Sequence, residues 1–153
     1  MSSIIFLYLK KNLCLHFSMV AESLICLALN VYFEARNQPL AGQVAVTQVV
    51  LNRVKSSDYP STPCEVVYQA KTYASGFPVK YKCQFSWYCD GLADKPKDKK
   101  AFDEALRSVI TVLNFPISDL TGGALFYHAR TVYPKWASQK YRTVQIADHI
   151  FYR

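Results

Sequence analysis

Apolar residues in the first half of the chain recur every three or four positions, which is the spacing of a buried helix face. The pattern predicts a first helix from Val20 to Arg36, ended by Asn37-Gln38-Pro39, and a second helix from Leu40 to Val54. The inward stripe of the second helix is expected to consist of Val46, Val49, Val50 and Val54. Both helices are therefore predicted to bury one face against a common core.

The middle of the chain has weaker periodicity and more turn residues. Cys64 to Gln69 is long enough for a short helix, and Lys71 to Lys97 is interrupted by glycine and proline, which predicts a long irregular stretch. Loops of this length inside a compact domain are usually functional. Asp98 is placed to cap a helix from Lys99 to about Leu113. The inward residues of that helix are expected to be Phe102, Leu106, Val109 and Leu113.

Short strands are predicted near the end of the chain. Gly122-Gly123 precedes a strand from Ala124 to Tyr127, and Thr143 to Ile146 alternates between apolar and polar residues. Helices followed by short strands are typical of an α+β fold. A chain of 153 residues suffices for one domain with a real core, and we expect that domain to occupy residues 19–153.

Residues 1–18 form an N-terminal extension that matches no standard targeting signal. The apolar run from Ile4 to Leu9 is too short to cross a membrane and precedes Lys10 and Lys11, whereas a secretory signal carries its charge first. Two interpretations stay open. The segment is either a loosely attached extension, with Met19 as an alternative start, or an unusual export or tethering signal.

Composition narrows the class of partner. Hydrophobic residues make up 51% of the chain and charged residues 19%, which is typical of a globular protein. The net charge of +7 indicates a polyanionic partner. The basic residues are scattered apart from one cluster between Lys95 and Lys100, and no recognition-helix or stacking motif accompanies them. We therefore expect no nucleic-acid partner.

The cysteines predict at most a partial disulfide framework. Cys26 lies in an apolar run and is expected to be a small core residue, whereas Cys64 could pair with either Cys83 or Cys89 in an oxidising compartment. The odd count of five leaves at least one free thiol. No cysteines have CxxC spacing, and the histidines have no metal-ligand spacing either, so no metal site is predicted. The histidines are His16, His128 and His149.

Glu34 is the residue that says most about chemistry. Leu24, Leu27 and Val31 precede it at helical spacing, which places its carboxylate at the edge of the core-facing stripe. Burial there would raise its pKa and keep it protonated near neutral pH, as a general acid in glycoside cleavage requires. The alternative is a structural charge that pairs with Arg36 or a neighbouring lysine.

A family resemblance follows from several short strings that occur in order. They are Tyr32-Phe33-Glu34-Ala35-Arg36, Gly42-Gln43-Val44-Ala45-Val46, Val50-Leu51-Asn52-Arg53-Val54, Cys83-Gln84-Phe85-Ser86-Trp87, Gly122-Gly123-Ala124-Leu125-Phe126-Tyr127-His128 and His149-Ile150-Phe151-Tyr152-Arg153. Together they make the chain, from about Leu24 to Arg153, resemble the cell wall hydrolase family of spore cortex-lytic enzymes, the SleB type.

The resemblance implies a lysozyme-like or lytic-transglycosylase-like α+β fold that cleaves peptidoglycan glycan strands, with Glu34 as the acid. A hydrolytic muramidase would need activated water, usually through a second carboxylate, whereas a lytic transglycosylase needs none. Asp90 is the candidate for the second carboxylate, and its alternative role is to form the turn before Gly91. The transglycosylase reaction is therefore favoured.

The other site residues are expected to contact sugar. Gln84 and Ser86 have polar side chains suited to hydrogen bonds with acetamido or hydroxyl groups, and the hydroxyl of Tyr127 could hold the Glu34 carboxylate. His128 alternates with Tyr127, so only one of them should face the cleft. The full predicted substrate-binding set is Gln84, Phe85, Ser86, Trp87, Tyr127, His128 and Trp136.

The resemblance also sets the expected partners and place of action. Peptidoglycan glycan strands are the expected substrate of a monomer without cofactors that works at the bacterial wall or in the periplasm. Anionic wall polymers are expected to bind the basic surface formed by Lys95, Lys97, Lys99 and Lys100. The absence of wall-binding repeats favours a compact phage lysin released through a holin, or a stand-alone remodelling enzyme. The rivals are a non-catalytic wall-binding module and a zinc amidase.

Overall fold

The computed structural model describes residues 20–153, so the extension predicted at residues 1–18 lies outside the described part of the chain. Its helices are α1 at residues 20–35, α2 at Leu40–Lys55, α3 at Pro63–Val67 and α4 at Lys99–Asn114. None of the helices within residues 20–153 combines the length and the apolar character needed to cross a membrane. The four predicted helices are confirmed, with boundaries shifted by only one or two residues at most ends.

The strands are β1 at Ala70–Thr72, β2 at Pro78–Cys83, β3 at Phe126–Ala129, β4 at Arg142–Ile146 and β5 at His149–Tyr152. β1 and β2 form an antiparallel hairpin. The last three strands form an antiparallel sheet in the order β3-β5-β4. The predicted α+β class is confirmed, and β5 is an additional strand that periodicity did not indicate.

The prediction that Lys71–Lys97 is irregular is wrong for its first half. The chain there forms most of the β1–β2 hairpin and then a 3-10 helix at Ser86–Cys89. The strand residues are mostly exposed on both faces, so no alternation of apolar and polar residues marks the hairpin in the sequence.

α2 occupies the centre of the fold. It is buried around its whole circumference from Gly42 to Val50, because α3, α4 and β4 all pack against it. The expected stripe is confirmed at Val46, Val49 and Val50, which are fully buried, but it describes only one side of a helix that has no solvent-facing side over that span. The flanking helices complete the core from both sides with Leu27, Val31, Val66 and Val109.

α4 is capped as expected. Asp98 accepts a hydrogen bond from the backbone N–H of Ala101 at 3.0 Å. Val109 is fully buried, whereas Leu113 is 44% exposed, because the helix ends one residue later and its last turn has left the core.

The prediction that Cys64 pairs with Cys83 or Cys89 is wrong. Cys26 on α1 is bonded to Cys64 on α3, and Cys83 is bonded to Cys89. Neither Cys83 nor Cys89 pairs with Cys64, and Cys26 is not a free core residue. Packing of α1 against α3 brings the first pair of Cα atoms to 5.3 Å, a proximity that spacing along the chain cannot reveal.

Candidate active site

Glu34 lies in the last turn of α1, half-buried at the edge of the core. The hydroxyl of Tyr127, on β3, donates a hydrogen bond to Oε2 of Glu34 at 2.9 Å. Burial raises the pKa of the Glu34 carboxyl above its ordinary value, while the Tyr127 hydrogen bond and the charge of Arg53 lower it in opposition. The balance favours a carboxyl group that keeps its proton at a higher pH than an exposed glutamate does.

Arg53 supplies a buried positive charge in the same neighbourhood. Its side chain is only 5% exposed, and its guanidinium lies 5.1 Å from the ring centre of Tyr59 and 5.2 Å from that of Phe85. Nε donates to the backbone oxygen of Leu125 at 2.8 Å, whereas buried Nη1 has no hydrogen-bond partner among residues 20–153. Burial lowers the pKa of Arg53, and the charges of Tyr59, Tyr127 and Glu34, in that order, oppose this effect.

The last turn of α2 also fixes the chain that leads into β3. Asn52 donates from Nδ2 to Asp119 at 2.9 Å and lies 3.2 Å from the backbone oxygen of Ala124. Asp119 in turn accepts from the backbone N–H of Gly123, where φ is +80°. Asn52 and Arg53 therefore hold both ends of the segment 119–125, and this segment places Tyr127 against Glu34.

The aromatic residues predicted to bind sugar form a wall inside the protein. Phe85 is 3% exposed and Trp87 is 6% exposed, so neither offers an open face for stacking on a sugar ring. Trp87 stacks on Phe33 with ring centres 4.7 Å apart and donates from Nε1 to Asn30 at 3.0 Å. Trp87 thus packs against Phe33, the residue before Glu34, and sugar stacking by Trp87 stays a prediction, since part of its side chain lines a neighbouring cavity.

Tyr127 and His128 point to opposite faces of β3, as strand alternation requires. His128 is 7% exposed, and its Nε2 lies 2.9 Å from the hydroxyl of Tyr152. Trp136 packs on the same side, against Phe126 and His128. His128 and Trp136 therefore lie on the face of β3 away from Glu34, so their predicted contact with sugar stays a prediction that the Tyr127 side of the strand does not bear on.

His149 packs behind Tyr127 on the Glu34 side of the sheet. The two rings meet edge to face with centres 5.2 Å apart. Burial lowers the pKa of His149, with the charge of Asp148 acting against it, which favours a neutral ring next to the tyrosine.

Two further carboxylates lie in a cavity of about 340 Å³, which is lined in part by Phe33, the neighbour of Glu34 in sequence. Asp90 and Asp94 both line this cavity. Asp90 accepts from the backbone N–H of Leu92 at 2.7 Å, which is the turn-forming alternative considered for it. Burial, followed by the charge of Asp90, raises the pKa of Asp94, a residue that the sequence analysis did not single out.

Gln84 and Ser86 are exposed on either side of buried Phe85, so both remain available to a ligand. The predicted basic surface is partly neutralised within α4. Lys99 lies 3.0 Å from Asp103, and Lys100 lies 4.0 Å from Glu104. Across the described part of the chain, no group of three or more His, Cys, Asp or Glu side chains is placed to hold a metal ion.

Comparison with known proteins gives consistent matches. A family model described as Cell Wall Hydrolase matches residues 37–152, a range that begins just after Glu34. Spore cortex-lytic enzymes from Bacillus cereus and Oceanobacillus iheyensis each align with 79% of this chain, and each is 30% identical to it over the aligned residues. The matched part is 40% of the first relative and 38% of the second, so the chain spans well under half the length of either.

Solved structures give the same answer. The catalytic domain of the germination-specific lytic transglycosylase SleB from Bacillus anthracis matches with a TM-score of 0.64 and 29% identity, covering 86% of this chain and 93% of that one. The catalytic domain of the Bacillus cereus SleB protein matches with a TM-score of 0.58 and 27% identity, covering 86% and 89%. The helix-and-sheet arrangement is therefore that of the SleB catalytic domains.

Proposed function

Because the chain belongs to the cell wall hydrolase family, we propose that it cleaves the glycan strands of bacterial peptidoglycan. The bond attacked is the β-1,4 bond between N-acetylmuramic acid and N-acetylglucosamine, and Glu34 is the general acid. Relatives with names that refer to cortex lysis or lytic transglycosylation support this proposal. Residues 19–153 would form the catalytic domain.

The observation that carries the proposal is the contact between Glu34 and Tyr127. A half-buried carboxyl that keeps its proton can donate it to the bridging oxygen of the glycosidic bond. The 2.9 Å hydrogen bond from Tyr127 then favours the carboxylate that forms, and Arg53 adds a positive charge nearby. The surroundings of Glu34 therefore stabilise both its protonated and its ionised form. A residue that acts first as an acid and then as a base requires both.

The reaction we favour is lytic transglycosylation. Glu34 protonates the leaving oxygen, the bond from C1 of the muramic acid breaks, and the ring acquires oxocarbenium character. The 6-hydroxyl of the same muramic acid then bonds to C1 and passes its proton to the Glu34 carboxylate. The products are a 1,6-anhydro end and a new N-acetylglucosamine end, and Glu34 is protonated again.

A hydrolytic muramidase is the second candidate, because Asp90 and Asp94 share a cavity next to Phe33. In this reaction one of the aspartates would activate water, which would attack C1 and leave a reducing muramic acid end. The hydrogen bond from the Leu92 N–H already engages Asp90, which makes it the less suitable base.

Mass spectrometry of the sugar ends released from isolated peptidoglycan tests the proposal. Anhydro-muramic ends are expected, and reducing muramic ends would establish hydrolysis instead. Glu34→Gln should abolish cleavage, whereas Glu22→Gln, an exposed glutamate on the same helix, should not. Cleavage by the Glu34→Gln variant would refute the assignment of the acid.

We place the activity at the bacterial wall. Of the four lysines in the predicted basic surface, Lys95 and Lys97 form no ion pair with any residue between 20 and 153. Their charges would attract anionic wall polymers. Release of a phage lysin through a holin remains our proposal for how the chain reaches the wall.

A further inference from the structure

The β1–β2 hairpin carries a cavity of its own, with a volume of about 530 Å³. That volume is within the range of ligand pockets, about 300–1,000 Å³. Its lining contains two lysines and no acidic side chain, and consists of Gln69, Ala70, Lys71, Tyr81, Lys82, Cys83 and Gln84.

The two lysines are placed as an anion site would need them. Ala70 pairs with Cys83, and Lys71 and Lys82 are the residues that follow this pair into the hairpin, one on each strand. Both lysines add positive charge to the cavity, and no lining residue carries a negative charge to neutralise it. Both lysines are exposed, and neither forms an ion pair with any residue between 20 and 153.

The backbone of β2 is shaped around the same cavity. The pairing register shifts between Ala70 and Thr72, and Tyr81 adopts a φ of +59°, which is rare for a bulky residue. The ring of Tyr81, 67% exposed, lines the cavity. Gln69 also lines the cavity, and its Oε1 is buried without a hydrogen-bond donor among the described residues, so a rotation of the side chain would offer that oxygen to an N–H group in the cavity.

The cavity adjoins the candidate active site through Gln84. The backbone N–H of Gln84 donates to Gln69 at 2.9 Å, and the next residue, Phe85, packs against the guanidinium of Arg53. Arg53 in turn acts electrostatically on Glu34. The hairpin is thus linked to Glu34 through Phe85 and Arg53.

We propose that the hairpin cavity binds the stem peptide carried by N-acetylmuramic acid. Lys71 and Lys82 receive its free carboxylates, and Gln69 accepts from a peptide N–H after a small rotation of its side chain. A phosphodiester backbone offers no N–H donor, so the peptide is the better match for the combination. This inference rests on the proposed function of the chain.

The test compares Lys71→Gln/Lys82→Gln with the control Lys80→Gln, an exposed lysine on the same strand that does not line the cavity. On peptide-bearing glycan strands, the double variant should lose about tenfold in kcat/KM, mostly through KM, because charge-assisted hydrogen bonds are lost. On strands stripped of peptide by an amidase, the loss should be several times smaller. Lys80→Gln should behave as wild type on both. Equal losses on both kinds of strand, or no loss, would overturn the inference.

A binding measurement separates this inference from the proposed function. Calorimetry with a soluble muramoyl tripeptide, on the Glu34→Gln background, should show about tenfold weaker binding for the double variant. If the wild type cleaves no glycan, the proposed function fails, and this measurement still decides the role of the cavity. Undiminished peptide binding by the double variant, or displacement of the peptide by poly(glycerol phosphate) at equal concentration, would assign the lysines another role.

Discussion

Replacing Tyr127 with phenylalanine removes one oxygen atom and keeps the ring that packs against Phe151 and His149. The substitution therefore isolates the 2.9 Å hydrogen bond to Glu34. Hydrogen bonds to charged groups contribute about 1.5–3 kcal/mol. Because this bond lowers the pKa of Glu34, its loss should raise that pKa.

The direction of the pH effect follows from the role of Glu34 as an acid. The hydrogen bond from Tyr127 lowers the pKa of Glu34, so its removal leaves the carboxyl protonated to higher pH. The alkaline limb of the pH–rate profile should therefore move to higher pH. The maximal rate should fall by about ten- to a hundredfold, because the carboxylate formed on proton transfer loses the same stabilisation.

The assay is the initial rate of peptidoglycan lysis from about pH 4 to pH 9, with the pKa of Glu34 followed by carboxyl NMR. Glu34→Gln identifies the Glu34 signal by its disappearance. Tyr133→Phe, which alters a tyrosine that is 72% exposed, is the matched control and should leave the profile unchanged. An alkaline limb that stays in place, or moves to lower pH, would refute the reasoning about Tyr127.

Further predictions concern charge, stability and the disulfides. Arg53→Met should also move the alkaline limb to higher pH, because the charge of Arg53 lowers the pKa of Glu34. Arg107→Met, on the exposed side of α4, is the control and should not move it. An unchanged limb in both variants would contradict the electrostatic role of Arg53. Glu34→Gln should stabilise the fold. Burial raises the pKa of Glu34 above its pKa in the unfolded chain. Between these two pKa values, the wild type loses about 1.4 kcal/mol of unfolding free energy for each pH unit. Urea unfolding should therefore show a gain that is absent near pH 4 and grows with pH, and a constant difference would exclude this explanation. Opening the Cys26–Cys64 disulfide, which has a sequence separation of 38, should lower the free energy of unfolding in urea by about 4 kcal/mol. Opening Cys83–Cys89, which has a separation of 6, should lower it by about 2 kcal/mol. The reverse order would contradict the loop-entropy argument.

Glu34 was visible in the sequence because it breaks an apolar pattern. Glu34 follows Leu27 and Val31 at helical spacing, and a carboxylate at that position must be half-buried if the helix forms. Arg53 follows Val46 and Val50 at the same spacing, so the same argument could have identified it as a buried charge. In the structure this buried charge anchors a loop, because Nε of Arg53 donates to the Leu125 carbonyl.

Other features were not accessible from the sequence, for physical reasons. The hairpin exposes Tyr73, Phe77 and Tyr81, so neither face carries the apolar alternation that marks a half-buried strand. Alternation along β3 separates Tyr127 from His128 without choosing between them, so the expectation that Tyr127 meets Glu34 rested on its hydroxyl group and not on the strand pattern. Cysteine pairing depends on how helices pack, and spacing along the chain does not determine that.

The acid and its hydrogen-bond donor are 93 residues apart in the chain, on the first described helix and in the late sheet. Closing so long a loop is among the slow steps of folding, because its entropy is paid before its contacts form. The chain therefore cannot assemble this pair during synthesis until β3 has left the ribosome. A fragment that ends before β3 would contain Glu34 and lack the Tyr127 hydroxyl that favours its carboxylate form.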